Sequence, residues 1–340
     1  MKQLLLLFCC LCVTTLLGQI TIKGFVSNAT NEALFGASVY VDGTTIGTVT
    51  DEKGFFEITI PSTINSVLVF SYFGYQTKYL EINSQLQAIT VVLVEDVKEL
   101  KEVVVQQNRY SRKQMLQLFR EQFLGSTKAG SNCIIENEEE LYFDYDSNNF
   151  IFKAYADTPL LITNTYLGYK IQFQLVDFEC KFYKNSILSK DIVNALYAGT
   201  SFFTPITSDT KYLKRRQKSY EGSSLHFFRN LVTNRWSKKE FLLFEGSFMT
   251  NPQDHFKVDA VKDDLYKIKV TPQPKNLDKK NFIAVFSILY DNKEQSKISF
   301  FTDTFNVDAF GLFSDYDKMY FSGEISKRKV GDMLPSNYGL

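Results

Sequence analysis

Apolar and polar positions alternate through Ala37, Val39 and Val41, break at Asp42-Gly43, resume over residues 46–50, break again at residues 51–54, and restart at Phe55, Phe56, Ile58 and Ile60. Period-2 runs separated by Asp/Gly turns predict short antiparallel strands. The pattern predicts seven of them, at residues 20–26, 37–41, 46–50, 55–60, 67–73, 77–82 and 89–94. Turn residues stand between them, at 28–31, 61–65 and at Asn83-Ser84 among others. Successive parallel strands need crossovers of about a dozen residues, and this stretch has no room for them. A two-sheet sandwich is the economical arrangement.

Further on the period changes. Residues 110–123 place Met115, Leu118, Phe119 and Phe123 on one helical face, and Gly125 is a natural stop. Strand patterns return at 133–135, 141–145, 150–156 and 160–164. A long alternation over 168–183 predicts one extended, half-buried strand. Residues 213–234 return to helical spacing, with Leu225, Phe228, Leu231 and Val232 in one stripe. Strands follow at 241–248, 257–261, 265–270, 282–290, 297–302 and 319–322, with a loop around Pro272, Pro274 and Asn276. The fold class expected is mainly β: a seven-stranded antiparallel β-sandwich, then a larger antiparallel β-rich (α+β) domain with about two helices.

The first 18 residues change the setting. Lys2 precedes an apolar run of about 15 residues ending at Gly18, the form of a secretory signal peptide and too short for the roughly 20 residues of a membrane span. No later segment reaches 18 consecutive apolar residues, so no transmembrane segment is expected after the signal is removed. The division expected is a signal peptide at 1–18, the sandwich at 19–96, a linker and helix at 97–125, and a β-rich domain at 126–340. Lys plus Arg total 38 and Asp plus Glu total 38, a balance that argues against nucleic acid as a partner. The 31 Phe and 19 Tyr suit β-rich packing.

The line GASVYVDGTTIGTVTDEKGFFEITI, residues 36–60, resembles the carboxypeptidase regulatory-like domain, a transthyretin-type sandwich. Gly36, Val39, Val41, Gly43, Thr44, Gly47, Thr48, Thr50, Asp51, Gly54 and Phe56 fill its hallmark pattern, and the resemblance runs over about residues 20–95. Such domains are accessory modules. The charged stretch with Val103 to Val105 is similar to the segment that follows this domain in outer-membrane nutrient receptors of Bacteroidetes-type bacteria, which continue into a plug and a large barrel. Here about 235 residues remain, without the many evenly spaced strands of such a barrel. The second region is similar to the C-terminal part of two-domain envelope proteins of the same bacteria. That resemblance implies a location and no activity.

Candidate chemistry is sparse. A zinc carboxypeptidase needs a His-x-x-Glu pair and a distant His, whereas the mature chain has only His226, with Arg229 three residues on, and His255. Gly222-Ser223-Ser224-Leu225 is not a nucleophile elbow, so a serine hydrolase is rejected too. No glycine-rich phosphate loop or dinucleotide fingerprint calls for a cofactor. The basic stretch around 212–235 is the best ligand-contact candidate, with Tyr220, His226 and Arg229, the last two sharing a helical face. A solvated basic face over a core stripe is the plainer reading. The acidic run 136–140 lacks the spacing of a calcium loop. Cys133 and Cys180, the two cysteines beyond the leader, are either a disulfide of an exported protein or buried thiols.

The function expected is that of an exported, non-enzymatic envelope protein, periplasmic or associated with the outer membrane or cell surface, whose β-rich domain binds a protein or glycan partner. Two alternatives stand beside it: a secreted, glycosidase-like hydrolase using two carboxylates in an aromatic-lined cleft, and an accessory partner of an outer-membrane nutrient receptor.

Overall fold

The computed structural model describes residues 19–61, 66–82, 86, 88–96, 109–207, 209–262, 264–273 and 281–339. The expected signal peptide, the Asn83-Ser84 turn, the Val103–Val105 segment, Pro274 and Asn276 lie outside the described residues. Within them the chain is mainly β, with three α-helices and three hydrophobic cores.

The alternating stretches of the first region become seven strands: β1 (Gln19–Asn28), β2 (Ser38–Val41), β3 (Gly47–Val49), β4 (Phe55–Pro61), β5 (Val67–Ser71), β6 (Lys78–Glu81) and β7 (Ala88–Leu93). They form a three-stranded sheet, β4-β1-β7, over a four-stranded sheet, β3-β2-β5-β6. The inward positions Ile22, Val26, Val39, Val41, Phe56 and Phe70 are among those building the core between them. One pairing departs from expectation, because β7 runs parallel to β1. Crossover length forbids only successive parallel strands, and these two are the first and last of the set. At their contact Gly24 lies against the Ile89 carbonyl, which a Cβ would approach to 2.1 Å.

A second body follows. Helix α1 (Arg112–Phe123) is opened by a capping box between Ser111 and Gln114. It is more than part of a linker, since Met115, Leu118, Phe119 and Phe123 belong to the second core. The strands are β8 (Cys133–Ile135), β9 (Leu141–Asp146), β10 (Ile151–Ala156), β11 (Leu160–Asn164), β12 (Tyr169–Phe182) and β13 (Ile192–Pro205). They lie in the order β8-β11-β12-β10-β9, with β13 along β12. Strand β13 has no period-2 signature, and most of its residues are half-buried.

The stretch of helical spacing at 213–234 is two helices, α2 (Thr210–Tyr220) and α3 (Ser224–Val232), the number expected for this domain. Gly222 breaks it with φ 73°, and Ser223 caps the second helix by accepting the His226 N–H. A third body then comprises β14 (Phe241–Glu245), β15 (Phe248–Thr250), β16 (Phe256–Lys262), β17 (Leu265–Val270), β18 (Ala284–Tyr290), β19 (Glu294–Phe300), β20 (Thr304–Asp308) and β21 (Met319–Gly323). Its sheets are β15-β14-β18-β19-β21 and β16-β17-β20. Phe227, Phe228, Phe241, Phe286 and Phe300 fill its core. Two hydrophobic cores thus lie beyond the sandwich.

Candidate functional site

Tyr220, His226 and Arg229 do come together. One turn apart on α3, His226 and Arg229 both point toward Tyr220 at the end of α2. The His226 ring lies 4.7 Å from the Tyr220 ring and the Arg229 guanidinium 5.3 Å above it. The polar atoms of Arg229 and His226 are engaged inside the protein. Arg229, 9% exposed, donates from Nε to the Phe310 carbonyl at 3.0 Å, from Nη1 to Tyr338 at 2.8 Å and from Nη2 to Ser336 at 2.6 Å. His226 Nδ1 accepts the Gly222 N–H at 3.2 Å, which leaves Nε2 to donate to Glu240 at 2.7 Å. Burial holds the imidazole pKa below its ordinary value against the opposing pull of Glu240. The cluster ties α3, the turn at Phe310 and the C-terminal segment into one unit.

Other sequence candidates are likewise engaged within the fold. On α2, Arg216 donates to the carbonyls of Leu167 and Gly168 and lies 3.9 Å over the Tyr169 ring. In the acidic run Glu138 pairs with Arg120 and Glu136 accepts from Thr163. Among the described residues no group of three or more His, Cys, Asp or Glu is placed to hold a metal ion. The disulfide alternative is corrected, because Cys133 and Cys180 are both free. Cys133 sits on β8 opposite Asn164 and donates to the Ala129 carbonyl, whereas Cys180 sits far along β12 opposite Phe152. Burial pushes each thiol up to about 12, so neither is a ready nucleophile.

The turn between β2 and β3 does something unanticipated. Its backbone hydrogen-bonds to β13: Gly43 donates to the Ser201 carbonyl at 2.7 Å, and Phe203 donates to the Thr44 carbonyl at 3.0 Å. Asp42 Oδ1 accepts the Ser201 N–H at 2.7 Å. Burial pushes the Asp42 carboxyl up to about 6, against the lowering effect of the Ser201 and Gly43 N–H groups. From the other side the Ser336 N–H reaches the Gly43 carbonyl at 2.6 Å, and the Asn337 amide bonds Thr45. Phe310, on the loop after β20, inserts into the core of the sandwich.

Beside this junction lies a cleft of about 980 Å³ between two outward sheet faces. Period 2 places Ser38, Tyr40, Val69, Ser71 and Tyr79 on the outer face of the four-stranded sheet. Across from them, Gln172 and Gln174 project outward from β12 while Ile171, Phe173 and Leu175 point into the second core. The faces close where Tyr40 stacks on Phe202 at 5.2 Å, and Gly47 is glycine there because a Cβ would meet the Phe202 ring at 2.6 Å. They part where the short side chains Ser38 and Ser71 stand opposite each other. The tight turn Tyr72-Phe73-Gly74-Tyr75 overhangs this opening, with Phe73 85% exposed.

The CarboxypepD_reg-like domain family matches residues 22–105. This segment is a carboxypeptidase regulatory-like domain. Over 87 residues the chain is 41% identical to the TonB-dependent receptor SusC of Bacteroides thetaiotaomicron, covering 26% of this chain and 8% of that receptor. Over 94 residues it is 44% identical to the TonB-dependent receptor P26 of Formosa agariphila, covering 28% of this chain and 9% of the receptor. The chain thus spans under a tenth of these curated relatives. Among solved structures, a cohesin–X-dockerin complex of Acetivibrio cellulolyticus matches 22% of this chain and 58% of its own with 19% identity and a TM-score of 0.20.

The regulatory-like domain's hallmark residues divide by role. Asp51 closes its own turn by accepting the Lys53 and Phe55 N–H groups, and Thr50 links Ala37 to Leu34. Thr44 binds Val41 and Ile46 within the domain. Gly43 and Gly47, in contrast, face the rest of the chain. The motif is visible in sequence, but its partners Ser201, Phe202 and Ser336 carry no pattern that would mark them.

Proposed function

We propose that this chain is an exported, non-enzymatic protein of the bacterial cell envelope, in which the regulatory-like domain is a fixed part of the body and the β-rich remainder binds a protein or glycan partner. The junction carries the reading: a turn bonded on one side to β13 and on the other to the C-terminal segment makes the accessory domain one wall of a cleft. Support for the envelope comes from the TonB-dependent receptors that share the domain. Among the described residues no helix is long and apolar enough to cross a membrane. His226 and Arg229 spend their hydrogen bonds in joining α3 to Glu240 and to the carbonyls of Phe310, Ser336 and Tyr338, which suits a structural part in that body. The test is fractionation of cells after crosslinking in place. The chain is expected in the envelope fraction with a crosslinked partner, and recovery as a lone cytoplasmic monomer would overturn the proposal.

Two competing readings each have one observation in their favour. The receptor relatives favour an accessory role beside an outer-membrane receptor, which co-purification from detergent-solubilised envelopes would reveal. The cleft favours a carboxylate-dependent hydrolase, since Glu140 and Asp157 line it together with aromatic rings. Release of reducing ends from a neutral oligosaccharide, abolished by Glu140→Gln, would establish that reading in place of ours.

A further inference from the structure

We propose that the cleft between the regulatory-like domain and the second sheet binds a short neutral oligosaccharide, with Tyr72, Phe73 and Tyr75 stacking on sugar rings and Gln172 and Gln174 bonding their hydroxyls. The inference rests on the reading of this chain as a binding protein and names the ligand class and the site.

Shape admits such a ligand, because about 980 Å³ lies at the upper end of the roughly 300–1,000 Å³ typical of ligand clefts. The two walls differ in a way that matches the two faces of a sugar. One is aromatic: Tyr72 and Tyr75 stand 5.5 Å apart, and Phe73 holds its ring in solvent at the tip of the turn between them. With Tyr72, Tyr75 and Tyr79 beside it in the lining, Phe73 is part of an aromatic surface and not a lone exposed ring. It offers flat apolar area for the C–H face of a pyranose. The other wall is amide. Among the described residues no hydrogen bond engages the side chains of Gln172 or Gln174, and each carries a donor and an acceptor side by side. That pairing suits hydroxyl groups, which also donate and accept.

Charge narrows the class. The described lining includes Asp96, Glu140 and Asp157 but no Lys, Arg or His, a balance that disfavours phosphates, uronic acids and nucleic acids. A cationic ligand would need those carboxylates, yet Asp96 and Asp157 already have partners within the protein. The amide wall offers no open backbone edge to a peptide added as a strand. Around Gln172 both edges of β12 are taken, by β11 and by β13.

The experiment uses the whole exported chain in saturation-transfer NMR and calorimetry. The probes are linear hexasaccharides of α-1,4-glucan, β-1,4-glucan, β-1,3-glucan, β-1,4-xylan and β-1,4-mannan, beside hexagalacturonate and hexalysine. At least one neutral probe is expected to bind, and Phe73→Ala and the pair Gln172→Ala with Gln174→Ala are each expected to weaken it roughly tenfold or more without lowering the melting temperature. Binding of no neutral probe, binding of hexalysine or hexagalacturonate in its place, or neutral binding indifferent to these substitutions would overturn the proposal. A chain that fails here yet crosslinks to an envelope partner keeps the proposed function and loses the cleft. A chain that binds here but fractionates with the cytoplasm keeps the cleft and loses the location.

Discussion

The Arg229 cluster and the Phe73 cleft are opposites. The first concentrates an arginine, a histidine and a tyrosine, the residue types that most often mark a site, and engages the polar atoms of the first two with neighbouring backbone and Glu240. The second is built of serine, glutamine and aromatic residues that look unremarkable in sequence, and leaves the Gln172 and Gln174 amides open among the described residues. The difference teaches that charge density along a chain measures potential interaction. Whether that potential remains for a ligand depends on which carbonyls and carboxylates the fold has already brought to it.

The comparison breaks most directly at the groups that bind the bodies together. Phe310→Ala should cost about 3–5 kcal/mol, because it empties a fully packed site in the sandwich core from a loop of another body. Chemical denaturation would read the loss, and a value under about 1 kcal/mol would show that the two bodies are not joined there. Arg229→Ala should come next, at about 3 kcal/mol, by orphaning three carbonyls. If Arg229 instead contacted a ligand, the variant would melt normally and lose only binding.

Gly47→Ala should cost about 1–3 kcal/mol, since the added methyl meets the Phe202 ring that closes the faces. The pH profile sharpens the picture of the junction. Burial pushes the carboxyl of Asp308, whose Oδ2 has no hydrogen-bond partner among the described residues, up to about 7. An unfolded aspartate titrates near 3.9. Below that both states are protonated. As pH rises the unfolded chain ionises freely while the folded one resists, so this residue's contribution to stability falls between about pH 4 and 7. Asp42, at about 6, acts in the same direction, and His226, with its lowered pKa, acts in the opposite one as pH falls. Asp308→Asn is therefore expected to flatten the difference in melting temperature between pH 5 and pH 8, and an unchanged profile would contradict the burial argument. Smallest of all, Phe73→Ala should change stability by less than about 0.5 kcal/mol, because its ring packs on little.

Much of the fold was legible because burial on one face of a strand writes itself as period 2. The seven strands of the regulatory-like domain, helix α1 and the long strand β12 were all readable in this way. Strand β13 was not, since most of its residues are half-buried without alternating in and out. The break at Gly222 left only a glycine and two serines as its sign within a stripe of helical spacing. Of the site, the sequence pointed to Tyr220, His226 and Arg229, and these do cluster. It was silent on the cleft, whose walls come from residues about 100 apart that carry no shared motif.

The sequence by itself determined the local order of strands and turns and the identity of the first domain, because side-chain alternation and turn chemistry act between near neighbours. That Gly43 and Thr44 reach β13, that Phe310 enters a distant core, and that two sheet faces part at Ser38 and Ser71 to leave a cleft emerged with the folded chain alone. Those outcomes depend on contacts between surfaces far apart along the chain, where the size of one side chain has meaning only beside the one it meets.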